Sequence, residues 1–102
     1  MKNKADFKYD ITEILGVASP EADLKSSWCK AVLKTLFNDT EEGVDIRRFN
    51  KDTKTMGKSG IRLSVQEAHN LTDILIENGY GSMEVLEKEY KRRRSLLHDD
   101  AE

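Results

Sequence analysis

Residues 43–64, GVDIRRFNKDTKTMGKSGIRLS, decide how this sequence is expected to fold. Apolar and polar residues alternate in VDIRRF (44–49), and a second short alternating segment, GIRLS (60–64), follows a loop rich in lysine. Alternation with a period of two is typical of a half-buried strand. Two such segments around a polar loop predict an antiparallel hairpin.

Side-chain parity suggests which residues of this hairpin share a face. Because successive side chains of a strand point to opposite faces, Ile61 and Leu63 are expected to pack against a helix on the core side. Val44 and Ile46 face the same side in the simplest register. The opposite face then carries a basic and aromatic group, formed by Arg47, Phe49 and Arg62. A β-bulge would break this parity.

Two further strands are predicted before the hairpin. Phe7, Tyr9 and Ile11 alternate with polar residues in DFKYDITEILG (6–16). In WCKAVLKTLF (28–37), one face is small and apolar, and the other alternates large apolar residues with lysine. Ala, Leu and Lys also favour helix, but the β-branched and aromatic content and the turn-like NDTEEG that follows favour a strand.

A capped helix is predicted directly after the hairpin. SVQE forms a capping box, in which Ser64 and Glu67 each bond the other's backbone amide. Gly79 stands where a left-handed residue would end the helix. The apolar stripe of this helix comprises Val65, Ala68, Leu71, Thr72, Leu75 and Ile76. One helix of this kind leaves apolar surface uncovered, so we expect a homodimer through the helices.

The remainder of the chain is predicted to form a charged helical extension. Ser82 can start a second helix, whose thin apolar stripe comprises Met83, Leu86, Tyr90 and Leu97. The final residues are expected to fray. We therefore divide the chain into a domain at 1–79 and an extension at 80–102.

Positive charge is concentrated in the middle of an acidic chain. Nine Lys and Arg stand against five Asp and Glu in residues 25–62, although the whole chain has a net charge of −2. Such a local field attracts a polyanion, whereas a chance fluctuation on a solvated face explains the count equally well. No apolar run is long enough to span a bilayer, and no signal peptide is evident. With a single cysteine, Cys29, these features predict a cytoplasmic protein.

The order of three strands, DIR, a basic loop, G-I-x-L-S and a capped helix resembles the transcriptional positive cofactor four family, the single-stranded DNA-binding coactivators, in its short prokaryotic or phage form. The resemblance covers about residues 7–79. It implies an α+β fold, with a four-stranded curved antiparallel sheet followed by a helix (ββββα), which dimerises through the helices. It also implies binding of single-stranded DNA, or of melted duplex, with little sequence preference, and association with the nucleoid of a bacterial or phage-infected cell.

The expected DNA-binding residues combine cations for phosphates with rings for bases. From the resemblance, Lys30, Phe37, Arg47 and Lys58 match family positions, and Trp28 lies near the groove. Phe49 stands one position before the aromatic of the eukaryotic members. The sequence therefore leaves three candidates for the ring that stacks on bases, which are Trp28, Phe37 and Phe49. The full predicted set is Trp28, Lys30, Lys34, Phe37, Arg47, Phe49, Lys54, Lys58 and Arg62. Each of these has a plainer explanation as core or as a solvated surface residue.

We expect the chain to act as a sequence-independent single-stranded DNA-binding dimer in transcription, replication or recombination. The alternative is an adaptor that recruits a polymerase or replication factor and binds nucleic acid only incidentally. Duplex binding by a β-ribbon is a third reading. An enzyme is not expected, because His69 and His98 have no metal-ligand spacing and GKSG lacks the remainder of a P-loop. No cofactor or metal is expected.

Overall fold

The computed structural model describes residues 9–20 and 26–101, with side chains up to Leu97. Its elements are β1 (Tyr9–Val17), β2 (Trp28–Phe37), β3 (Glu41–Asn50), β4 (Thr55–Ser64), α1 (Val65–Glu77) and α2 (Met83–Ala101). The strands form one antiparallel sheet in the order β1-β2-β3-β4. The predicted α+β class, with four antiparallel strands followed by helix, is confirmed.

The chain divides into two units, one up to His69 that holds the sheet and one from Asn70 onward. The predicted alternation at Phe7 lies outside the described residues. The backbone of α2 is helical through residues 98–101, where the sequence predicts fraying.

β2 and β3 pair without interruption from Trp28↔Asn50 to Phe37↔Glu41. The turn between them places Asn38 and Asp39 at φ 51° and 63°. These residue types tolerate the left-handed region because their short polar side chains bond the nearby backbone. This turn fixes the register, and the register decides which side chains of the two strands are neighbours.

The β3–β4 hairpin is longer than the sequence predicts, because β4 begins at Thr55 and not at Gly60. The register shifts between Arg47, which pairs with Gly60, and Phe49, which pairs with Met56. Residues 57–59 of β4 therefore lie opposite the single residue Arg48 of β3. Gly60 has φ +153°, and a Cβ there would lie 1.9 Å from the Cβ of Arg47. The glycine of the GIRLS segment is therefore required by close strand contact.

The hydrophobic core lies on one face of the sheet, here called the inner face, which carries the odd-numbered residues of β2 and β3. Its buried apolar residues are Cys29, Ala31, Leu33 and Phe49, with Ile11 and Met56 packed against them. Arg47, Phe49 and Arg62 share a face as predicted, since Arg47 and Phe49 have the same parity and Arg62 pairs with Asp45. However, that face is the inner one.

For β3 and β4, the sequence places the core on the opposite face, here called the outer face, and that expectation is wrong. Val44 and Ile46 are only half-buried, and Ile61 is 55% exposed. Both faces of β3 carry apolar residues, so alternation alone does not say which face is enclosed. On β2, the inner-face residues nearest Phe49 are Cys29 and Ala31, which are small and are buried in one cluster with it.

Curvature of the sheet encloses the inner face. Lys54, at the tip of the β3–β4 hairpin, lines the same shallow depression as Ile11 and Ile14 of β1. β1 and β3 are separated by β2, and neighbouring strands lie about 4.8 Å apart. A flat sheet would keep this hairpin tip away from β1, whereas the irregularities in β1 and between β3 and β4 allow it to bend.

α1 begins with the predicted capping box. The Ser64 amide donates to Glu67 Oε1 at 2.9 Å, and the Glu67 amide donates to Ser64 Oγ at 3.1 Å. Gly79, at φ +90°, follows the helix as predicted. No residue of α1 is buried in the single chain. Neither helix in the described part of the chain is long and apolar enough to span a membrane.

Candidate nucleic-acid interface

A buried carboxylate organises the polar end of the inner face. Asp45 is 1% exposed and accepts a hydrogen bond of 2.6 Å from the Thr35 hydroxyl. Arg47 approaches Asp45 Oδ2 with its Nε at 2.9 Å and its Nη2 at 2.8 Å. Arg62 Nε lies 3.6 Å from Asp45 Oδ1, within ion-pairing distance. We call Thr35, Asp45, Arg47 and Arg62 the Asp45 cluster.

Arg62 has several contacts within the sheet. Its Nη2 donates to the Glu41 carbonyl at 2.8 Å. Its guanidinium carbon lies 5.5 Å from the ring centre of Tyr9 and 6.0 Å from that of Phe37. A Cβ on Gly43 would lie 2.6 Å from that carbon, so any other residue there would require the guanidinium to shift. Arg62 therefore has a structural role that the sequence does not reveal.

Arg47 is also occupied by internal contacts. Besides its contacts with Asp45, its Nη1 donates to the carbonyls of Gly57 and Lys58 at 3.4 and 3.3 Å. These bonds hold the irregular segment of β4 against β3. The Asp45 cluster therefore carries two arginine charges against one carboxylate, and both guanidinium groups have partners. Its net charge is positive, but neither arginine is a free phosphate ligand in this conformation.

The aromatic residues of the inner face differ in accessibility. Phe49 is 2% exposed and belongs to the core, so no base can stack on it in this conformation. Phe37 is half-buried and packs on Tyr9, with ring centres 4.7 Å apart. Tyr9 is 49% exposed. The sequence prediction does not include Tyr9 among the site residues, although it identifies its strand.

The outer face carries a separate basic group at one end of β2 and β3. Lys30 stands directly opposite Arg48 in the register, and both side chains are exposed. The guanidinium carbon of Arg48 lies 5.1 Å from the ring centre of Trp28. Within the described residues, no carboxylate lies within 4.0 Å of the charged groups of Lys30 and Arg48. We call Trp28, Lys30 and Arg48 the outer basic site.

The packing of Trp28 depends on a second glycine. A Cβ on Gly57 would lie 3.1 Å from Trp28 Cζ3 and 3.2 Å from the Cβ of Arg48. The irregular part of β4 thus lies close to the tryptophan and the arginine together. Trp28 as a whole residue is half-buried.

The nine predicted residues do not form one surface. Trp28, Lys30 and Lys34 lie on the outer face, whereas Phe37, Arg47, Phe49 and Arg62 lie on the inner face. Lys34 forms an ion pair of 3.5 Å with Glu42, which reduces its availability to phosphate. Lys54 and Lys58 are exposed, at the hairpin tip and in the irregular part of β4.

Arg48 is the functional candidate that the sequence prediction misses. Strand parity places Arg48 on the face opposite Arg47 and Phe49. The sequence prediction assumes that Arg47 and Phe49 lie on the exposed face, so it assigns Arg48 to the core side. The turn could have revealed it, because pairing across residues 38–40 puts position 48 opposite position 30.

The described residues contain no cluster of His, Cys, Asp and Glu that could hold a metal ion.

Comparison with known proteins gives no further guide to function, since no family model, curated protein or solved structure matches the chain. The resemblance to the positive cofactor four family, and the site residues that it implies, stay predictions.

Proposed function

We propose that the chain is a single-stranded DNA-binding protein and that the outer basic site is its principal contact with the strand. The pairing of Lys30 with Arg48 carries this proposal. Like charges directly opposite each other on neighbouring strands are destabilising. An anion between them removes that repulsion, and a phosphate of a nucleic acid is such an anion.

Trp28 supplies the second requirement of a single-strand site, which is a flat apolar surface for a base. Base–aromatic stacking contributes about 1–3 kcal/mol per base and tolerates every base. A lysine and an arginine beside one half-buried tryptophan therefore suit a strand bound without sequence preference. Lys58, which follows Gly57 in the irregular part of β4, is a further exposed cation close in sequence to this site.

Single-stranded DNA fits this arrangement better than duplex because the Trp28 ring can stack only on an unstacked base. We measure binding by fluorescence anisotropy, with a labelled dT oligomer and a duplex of equal length across a salt series. We expect tighter binding to the oligomer and an affinity that falls with salt, with a slope of about −0.7 per phosphate neutralised. Equal and weak binding to both nucleic acids would contradict the proposal.

Alanine variants test the outer basic site. Lys30→Ala and Arg48→Ala should each weaken oligomer binding and reduce the salt slope by roughly 0.7, as expected for one lost phosphate contact. Lys88→Ala removes an equal charge from α2 and is the matched control. If Lys30→Ala and Lys88→Ala behave alike, the outer basic site is not the contact.

Trp28 provides a direct reading of base stacking, because it is the only tryptophan in the chain. Stacking of a base on its ring should quench its fluorescence during titration with the oligomer. Arg48→Ala should reduce that quenching if the guanidinium helps to orient the ring. An unchanged spectrum at saturating DNA would remove Trp28 from the site.

We also propose that the functional form is a homodimer through α1. Val65, Ile74, Leu75 and Ile76 of α1 are exposed in the single chain. Apolar helix surface of this kind indicates an interaction surface. The same exposure supports the second candidate function, an adaptor whose partner is a polymerase or replication factor. Sedimentation equilibrium of the chain and of an Ile76→Glu variant tests the dimer, because the variant should associate less if α1 pairs, whereas an adaptor surface that awaits another protein would leave self-association unchanged.

A further inference from the structure

The second helix, α2, carries an apolar stripe of its own. Met83, Leu86, Tyr90 and Leu97 lie three, four and seven residues apart, as along one side of a helix. Met83, Tyr90 and Leu97 are 78%, 60% and 70% exposed. With Arg93 between Tyr90 and Leu97, these residues occupy successive seam positions of a seven-residue repeat, the pattern by which two helices pair.

We propose that α2 pairs with α2 of a second copy of this chain, and that the two helices run antiparallel. The position of Arg93 on the seam decides the orientation. In a parallel pair, each seam residue meets its own counterpart, so Arg93 would face Arg93 of the second copy. In an antiparallel pair, Tyr90 meets Arg93 of the second copy, and Leu86 meets Leu97.

Charges beside the seam support the same orientation. Glu87 and Arg94 stand on one flank of the stripe, seven residues apart. Antiparallel pairing brings Glu87 beside Arg94 of the second copy, and the two-fold symmetry of the pair repeats this contact. Arg94 already lies at the edge of the seam, because its Nη1 donates to the Tyr90 hydroxyl at 2.8 Å.

The opposite flank is less suited to pairing. A parallel arrangement would need Glu89 to meet Arg94 of the second copy. Glu89 already forms two ion pairs within its own helix. Its Oε1 lies 2.8 Å from Arg92 Nη2 and 3.3 Å from Arg93 Nε. The hydrogen bond from Arg92 is the main cause that lowers the pKa of the Glu89 carboxyl. Parallel pairing would therefore compete with existing contacts, whereas antiparallel pairing leaves them intact.

The expected interaction is weak by itself. The seam spans about two heptads, fewer than the three to four that typify an independent coiled coil. If another contact, such as the proposed α1 dimer, already joins two chains, it raises the effective concentration of one α2 helix for the other and so favours their pairing. This pairing does not depend on nucleic-acid binding, and it concerns a different helix from the α1 contact proposed above.

Charge reversal tests the pairing. We expect Glu87→Arg and Arg94→Glu each to weaken self-association about tenfold, since each replaces two attractive contacts with two repulsive ones. An equimolar mixture of the two variants should regain association, because every contact between unlike chains is then attractive. Lys88→Glu, which reverses a charge on the side away from the seam, is the control. Sedimentation equilibrium at low salt measures all of these.

The orientation has its own test, which another dimer contact cannot mask. Under a mild oxidant, a mixture of Leu86→Cys and Leu97→Cys chains should form disulfide-linked dimers much faster than Leu86→Cys chains alone. Cys29 is buried and should not compete. Rapid cross-linking of Leu86→Cys alone, or failure of the mixed charge variants to regain association, would overturn the proposal.

Discussion

Replacing Asp45 with Asn would remove the carboxylate that compensates Arg47 and Arg62 while keeping its shape. The guanidinium groups of these two arginines, whose side chains are 18% and 20% exposed, would then lack a shared counter-charge. Breaking a buried ion pair by removal of one partner costs about 3–5 kcal/mol. Because both arginines retain some contact with water, we expect the lower end, about 3 kcal/mol.

The loss is measured by urea denaturation at one fixed protein concentration, because self-association changes apparent stability. Glu42→Gln is the matched control, since it neutralises a carboxylate whose partner, Lys34, is exposed. An exposed pair contributes at most about 1 kcal/mol. If Asp45→Asn destabilises the protein no more than Glu42→Gln does, the Asp45 cluster does not hold the inner face together as argued.

The same Asp45→Asn variant also tests the position of the nucleic-acid site. Removing one negative charge leaves two arginines that could bind phosphate on the inner face. If the strand binds on the outer face, the salt slope of oligomer binding should stay the same, provided that the protein is still folded. A slope that increases by about 0.7 would indicate a new phosphate contact and would move the site to the inner face.

Three other substitutions test the fold, each with thermal or urea unfolding as the measurement. Gly60→Ala should destabilise by about 1–3 kcal/mol, because its Cβ meets the opposite strand, whereas Gly16→Ala has no atom within 4 Å and should not. Leu33→Ala in the core should cost about 2–5 kcal/mol, and exposed Val85→Ala well under that. Ser64→Ala should cost about 1 kcal/mol through the lost helix cap. Equal effects within either matched pair, or no loss at Ser64, would contradict these assignments.

Features that depend on neighbouring residues could be predicted from the sequence. The bounds of β2, the reciprocal cap at Ser64 and Glu67 and the position of Gly79 follow from local backbone chemistry, and the structure shows all three. The fold class follows from their order. The start of β4 was less accessible, because an irregular register lets residues with weak strand preference pair with β3.

Which face of the sheet is enclosed depends on contacts between residues that are distant in sequence, and the local sequence pattern does not predict it. Alternation correctly groups Phe49 with Arg47, but an aromatic residue among arginines has the same pattern whether its ring is exposed or buried. Curvature brings β1 and the β3–β4 hairpin over that ring. Asp45 and Arg62 are far apart in sequence and are adjacent only through the register. Their mutual compensation could therefore not be recognised from local charge counts.

The two candidate functions differ in their response to salt. Binding through Lys30 and Arg48 releases counterions from the nucleic acid, so it must weaken as salt rises. Docking of a protein on the apolar residues of α1 buries hydrocarbon, which salt does not screen. A DNA affinity that is independent of salt would therefore contradict the outer basic site, even if binding itself were observed. Conversely, a steep salt slope that Lys30→Ala reduces could not arise from the helices.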